Sequence, residues 1–119
     1  MDKIRHFKDL IVWQKSMAFV VDVYRSTRDF PKEEIYGLTS QVRRAAVSIP
    51  SNIAEGQARR TTGEFLQFLG HARGSLAEVE TQIILSHDLG FLSDPDPLLS
   101  SLNEISRILS GLINSLEAN

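Results

Sequence analysis

The 119-residue chain carries 13 Lys/Arg against 15 Asp/Glu, a formal net charge of −2, with 42% hydrophobic and 24% charged residues. These are the proportions of a globular protein, and they exclude a disordered, collagen-like or low-complexity chain. Cysteine is absent, which removes disulfides, thiolate metal sites and thiol catalysis. Four prolines and seven glycines are too few for a loop-rich all-β fold, and the length predicts one domain spanning residues 1–119.

Four helices are legible in chain order. The first is expected over about Asp9 to Asp29, with a stripe of Leu10, Trp13, Met17, Val20, Val21 and Tyr24 at helical spacing. Phe30-Pro31 ends it, because a residue before proline avoids helical geometry. The second is expected over about Glu33 to Ala58, on the stripe Ile35, Leu38, Val42, Ala45, Ile49, Ile53 and Gly56. Pro50 interrupts it, and the periodicity running through that proline predicts one kinked helix; a break at Ser48 with Ser51 capping a new helix is the alternative. The third runs from Thr62 to about Leu89, opened by a capping box of Thr61 and Glu64 and closed by Gly90. Its stripe is Phe65, Leu69, Ala72, Leu76, Val79 and Ile83. The fourth runs from about Pro97 to Leu116 behind Asp94-Pro95-Asp96-Pro97, on Leu98, Leu102, Ile105, Leu109, Leu112 and Leu116. Short links between long helices predict an all-α, up-down-up-down antiparallel four-helix bundle.

Helix two has more apolar surface than one core stripe needs. Val47, Pro50, Ala54 and Ala58 make a second side, and a helix that is apolar on two sides is buried on two sides. An exposed proline in mid-helix would be unusual, so this side is read as a homo-oligomer interface. Gly70 and Gly74 lie one turn apart in helix three and predict close approach of another helix, inside the bundle or between subunits.

Charge is uneven. Residues 1–60 hold eleven Lys/Arg and seven acids, a balance of +4; residues 61–119 hold two and eight, a balance of −6. Arg43, Arg44, Arg59 and Arg60 are the candidate phosphate contacts for an RNA or nucleoprotein partner, since guanidinium matches phosphate bidentately. Mutual neutralisation of the two halves across the bundle is the stronger reading for a chain of pI about 5.9. A polar network of Arg44, Asn52, Glu55, Arg73, Ser75 and Glu78 between helices two and three is expected to set their register, with Arg44–Glu78 or Arg73–Glu55 as ion pairs.

Catalytic and metal constellations are missing from the sequence. No Glu-x-x-His pair, His-Glu-x-x-His run, phosphate-binding loop, dinucleotide fingerprint or nucleophile elbow occurs. A pocket built from His71, Glu78 and Glu55, taking a small molecule or a metal, is the rival to a binding scaffold. No catalytic residue, cofactor or metal is therefore assigned. The polar start Met1-Asp2-Lys3-Ile4-Arg5-His6 leads to no signal-peptide core, and no apolar run approaches the about 20 residues that span a bilayer. A cytoplasmic protein without a membrane partner is the expectation.

Several runs resemble a bacterial four-helix-bundle family, the 23S rRNA intervening-sequence proteins. They are Phe7 to Lys15 (FKDLIVWQK), Phe30 to Leu38 (FPKEEIYGL), Gln41 to Gly56 (QVRRAAVSIPSNIAEG) and Gly74 to Gln82 (GSLAEVETQ). The third is the most specific, and together they reach over about residues 7–90. The resemblance implies an up-down bundle, a continuous helix through Pro50, and a ring-like homopentamer. It also implies RNA or nucleoprotein partners, because some members are encoded within 23S rRNA gene insertions and similar proteins assist diversity-generating retroelements. The retroelement proteins are markedly basic, whereas this chain is mildly acidic. The resemblance implies no enzymatic activity.

Overall fold

The computed structural model describes residues 6–118; the polar reading of residues 1–5 lies outside them. A 3-10 turn at Phe7–Asp9 leads into α1 (Ile11–Ser26), and a second at Lys32–Glu34 precedes α2 (Leu38–Gln57). Helices α3 (Thr62–Asp88) and α4 (Asp96–Glu117) complete the chain, and no strand occurs among the described residues. Each helix touches two neighbours: α1 meets α2 and α4, and α3 meets α2 and α4, with no contact across either diagonal. That is the square cross-section of an up-and-down four-helix bundle. The molecule measures 48 × 23 × 19 Å, its length set by helices lying side by side.

The ends of α3 follow from its sequence. Thr61 adopts extended geometry and its hydroxyl accepts the Glu64 backbone N–H at 3.1 Å, while donating to the Glu64 carboxylate at 2.9 Å. At the other end Gly90 takes φ +82°, the left-handed conformation that only glycine enters freely. The Gly90 N–H then bonds the His87 carbonyl and the Phe91 N–H bonds the Ser86 carbonyl, each at 2.9 Å. This pair of bonds is a Schellman stop. His87 Nδ1, 3.0 Å from the Leu92 carbonyl oxygen, ties the following turn to the helix.

The α1–α2 connection is longer than its spacing suggests. Helix α1 stops at Ser26 and α2 starts at Leu38, so the link spans residues 27–37. Thr27 closes α1 by donating its hydroxyl to the Val23 carbonyl at 2.9 Å. Glu34 then accepts the Leu38 N–H at 3.0 Å and opens α2. Ile35, expected at the head of the α2 stripe, therefore sits in the turn and is 49% exposed. Helix α2 continues through Pro50 without a break.

Helix α1 is rotated relative to the expected stripe. Its buried residues are Val12, Ser16, Phe19 and Val23, whereas Met17, Val21 and Tyr24 are exposed and Trp13 and Val20 are half-buried. Residues two apart on a helix point about 200° from each other, so Met17 and Phe19 lie on opposite faces. Apolar residues occupy both sides of α1: of the expected stripe Leu10 is buried and Trp13 and Val20 pack on the core's edge, while Met17, Val21 and Tyr24 lie outside. The true core stripe passes through Ser16, whose hydroxyl is satisfied by donating to the Val12 carbonyl at 2.6 Å. The stripes of the other helices stand: Val42, Ala45, Ile49 and Ile53 of α2, Leu69 to Ile83 of α3, and Leu98 to Leu109 of α4 join one core. In α4 Ile113 is buried, with Leu112 and Leu116 packed against the core from its edge.

Close helix approach occurs at Gly56. A Cβ there would lie 2.6 Å from Phe68 Cβ and 3.3 Å from the Phe65 carbonyl oxygen, so only glycine lets α3 cross the end of α2 at this distance. Gly70 and Gly74, expected to serve close approach, have open space within 4 Å and face outward.

The phase of α1 is directly testable. Phe19→Ala should cost about 3–5 kcal/mol in urea unfolding, the ordinary cost of emptying a buried aromatic position. Val21→Ala should change stability by about 0.5 kcal/mol or less, as surface substitutions do. The reverse order would put the other stripe inside.

Candidate functional site

The outward stripe of α1 meets the second apolar side of α2. Trp13, Met17 and Val20 stand beside Val47, Pro50, Ser51 and Ala54, and together they line an open groove of about 260 Å³. Met17 is 42% and Val47 38% exposed. Exposed apolar side chains gathered on one face mark an interaction surface, whereas scattered ones do not. Three of the four α2 residues expected at an interface are in this groove. Ala58 is not: it lies exposed just past the end of α2. Pro50 is itself buried within the chain, so the argument from an exposed mid-helix proline fails. The proline forms part of the groove wall, and the exposed apolar area comes from Met17 and Val47 instead. The sequence pattern placed Trp13, Met17 and Val20 in the core; Trp13 and Val20 do pack on its edge, but Met17 is exposed, and the signal for the rotation was Ser16 at the centre of the competing stripe.

The four arginines do not form one stripe. Arg43 and Arg59 are sixteen positions apart, about 24 Å of helix rise. Arg43 is a structural tie: its Nε donates to Thr27 Oγ1 at 2.8 Å, and its guanidinium stacks over the Tyr24 ring at 4.7 Å. It thereby anchors α2 to the end of α1. Arg44 is exposed on the neighbouring position of α2. Arg59 and Arg60 stand at the α2–α3 turn, where with Gln57, Thr61, Thr62, Phe65 and Leu116 they line an open cavity of about 510 Å³. The Arg59 guanidinium stacks over Phe68 at 4.7 Å. Neither arginine has an acid partner among the described residues.

The polar network between α2 and α3 is smaller than expected. Its contact is Ser48 Oγ donating to Ser75 Oγ at 2.6 Å, with Ser75 donating in turn to the His71 carbonyl at 3.2 Å. Asn52 bonds within its own helix, to the Ser48 carbonyl at 2.8 Å. The expected pairs Arg44–Glu78 and Arg73–Glu55 do not form; all four side chains are exposed, and solvent keeps them apart at little cost. The described residues hold a single ion pair, Lys15–Glu104 at 3.3 Å. Direct ion pairing between the two halves is thus confined to that one pair among the described residues.

His71 packs edge-on against Phe68 rather than against a carboxylate. Among the described residues no group of three or more His, Asp or Glu is placed to hold a metal. No described helix is long and apolar enough to cross a membrane.

These features define a class: an up-and-down four-helix bundle whose distinctive surfaces are an apolar groove and a basic turn. The sequence matches the 23S rRNA-intervening sequence protein family over residues 8–111, and the chain belongs to that family. Comparison with curated proteins gives no match. Among solved structures, the chain is similar to a protein of unknown function from the S23 ribosomal protein family of Bacteroides thetaiotaomicron. The TM-score is 0.77 at 21% identity, covering 87% of this chain and 98% of that one. At that identity the likeness establishes the shared fold.

Two arginines separate structure from surface. Arg43→Ala should lower stability by about 1–2 kcal/mol in thermal or urea unfolding, the scale of a lost charge-assisted hydrogen bond. Arg60→Ala should leave stability within about 0.5 kcal/mol. Equal effects would mean that Arg43 is not a structural tie.

Proposed function

We propose that this chain is a non-enzymatic, self-associating helical scaffold of the cytoplasm, assembling as the homopentamer that its family resemblance implies. The observation that carries this reading is the α1–α2 groove. Its walls are apolar, and a monomer would leave Met17 and Val47 facing water. The groove holds no acid, base or nucleophile apart from the Ser51 hydroxyl, so its chemistry is association rather than reaction. A charge placed at its edge must be desolvated when two copies meet, and that cost opposes assembly. Light scattering of the wild type should give about five times the chain mass of 13.3 kDa. Val47→Glu, at a position that is 38% exposed and so tolerates the carboxylate in the folded chain, should shift the mass to that of one chain with helicity unchanged. A monomeric wild type would remove the reading.

A second function is supported by the basic turn. Arg59 and Arg60 have no acid partner among the described residues and line one cavity with Thr62; the Thr61 hydroxyl beside them is engaged with Glu64, so the two guanidiniums are the donors suited to phosphate. We therefore propose RNA as the scaffold's partner, held at this end of each bundle and repeated by the assembly. Arg59→Glu with Arg60→Glu should weaken binding to total cellular RNA, and wild-type binding should fall as salt rises. RNA affinity unchanged in both tests would leave a protein partner instead.

A further inference from the structure

We infer that the α2–α3 turn takes RNA as a single strand, stacking its bases on the Arg59 guanidinium and the His71 ring, two planar groups mounted on Phe68. This rests on the RNA reading proposed above and specifies the form of RNA and the contacts that select it.

Phe68 is the fixed part. The α2–α3 crossing holds its Cβ 2.6 Å from the point where any residue but glycine at position 56 would place its own, and the side chain is half-buried. Two exposed planar groups rest on its ring. The Arg59 guanidinium lies over it, 4.7 Å from the centroid. The His71 ring meets it at 82°, with centroids 5.8 Å apart. Phe68 covers at most one side of each group, and both residues are exposed, so each keeps a side for a further planar partner. Arg43 gives the contrast. It too lies over an aromatic ring, that of Tyr24, but its Nε is spent on Thr27. Among the described residues Arg59 makes neither an ion pair nor a side-chain hydrogen bond, so its stacked guanidinium ties nothing together. Histidine rings and guanidinium planes are the surfaces on which unstacked RNA bases settle.

Charge and shape favour a single strand over a duplex. Residues 55–73, which hold the turn and the ring cluster, carry Arg59, Arg60 and Arg73 against Glu55 and Glu64, a balance of only +1. A duplex is held chiefly through its phosphates, and this surface has little charge to offer them. In a duplex the base faces are also already covered by their neighbours, whereas a single strand exposes them. Base stacking adds affinity without requiring net charge. The open cavity of about 510 Å³ that Arg59 and Arg60 line lies beside the cluster and takes the sugar-phosphate leading to the stacked bases.

The test is fluorescence anisotropy of a short single-stranded RNA, long enough for one site, against the duplex of the same sequence. The single strand should bind more tightly. With two arginines at the phosphates, its log–log salt slope should be about −1.4 or shallower. His71→Ala should weaken single-strand binding by about five-fold or more, the loss expected for one stacked base. Arg59→Lys, which keeps the charge and removes the plane, should also weaken it, whereas His71→Phe should retain wild-type affinity. All three positions are exposed, and circular dichroism confirms that each variant keeps its helices. Equal affinity for duplex and single strand would overturn the inference. So would wild-type affinity in both His71→Ala and Arg59→Lys, or a His71→Phe variant as weak as His71→Ala. If Arg59→Glu with Arg60→Glu weakens binding while the planar variants do not, stacking falls and the phosphate reading of the turn stands. A wild type that binds neither form of RNA removes both.

Discussion

The rotational setting of α1 governs what this molecule shows to its surroundings. Phe19 and Val23 are essentially fully buried, and their burial turns Met17 and Val21 outward and sets Trp13 and Val20 at the core's edge by simple helix geometry. The setting is fixed from both ends. At the C-terminal end Thr27 caps the helix and accepts the Arg43 Nε–H, which locks α1 to α2. At the N-terminal end Phe7 packs edge-on against Trp13, with ring centroids 5.2 Å apart. Ser16 makes the arrangement tolerable, since its buried hydroxyl bonds back to its own helix and leaves no polar group unsatisfied. With α1 so placed, the groove against α2 follows without further assumption.

The α2–α3 pair is the frame on which α1 and α4 are mounted. It is the most extensive helix contact in the bundle. Gly56 permits the close crossing at one end, and the Ser48–Ser75 hydrogen bond sets register near the middle. The four-residue turn between these helices leaves little slack, and it also brings Arg59, Arg60 and the capped start of α3 into one place. Buried Thr39 Oγ1 and Gln82 Oε1, on the same two helices, are the two buried side-chain polar atoms without a protein partner among the described residues.

Most of the architecture was legible in the sequence. The capping box at Thr61, the glycine stop at Gly90 and the stripes of α3 and α4 carry their own physical explanation, and the structure bears each one out. Two things were not legible. The phase of α1 depends on a choice between two apolar stripes, and periodicity alone prefers the one without a serine; only the neighbours that cover the helix decide. The fate of the charges was hidden for a similar reason. Opposite net charges on two halves of a chain say nothing about which side chains reach each other, and here almost none do. Both misreadings concern one boundary, between what faces the core and what faces another molecule. The candidate site lies along it, so three of its α2 residues fall on the second apolar side read from the sequence, while its α1 residues were assigned to the interior.

The central claim is that the α1–α2 groove is covered by a second copy in solution. Trp13 is the chain's one tryptophan and lines that groove, so its fluorescence is a native reporter. The most direct measurement follows its emission maximum and the light-scattering mass together as the protein is diluted. The account expects a blue-shifted emission in the assembly that moves to the red as the mass falls to one chain, the two transitions coinciding. A fall in mass with Trp13 emission unchanged would place the contact elsewhere and contradict the account.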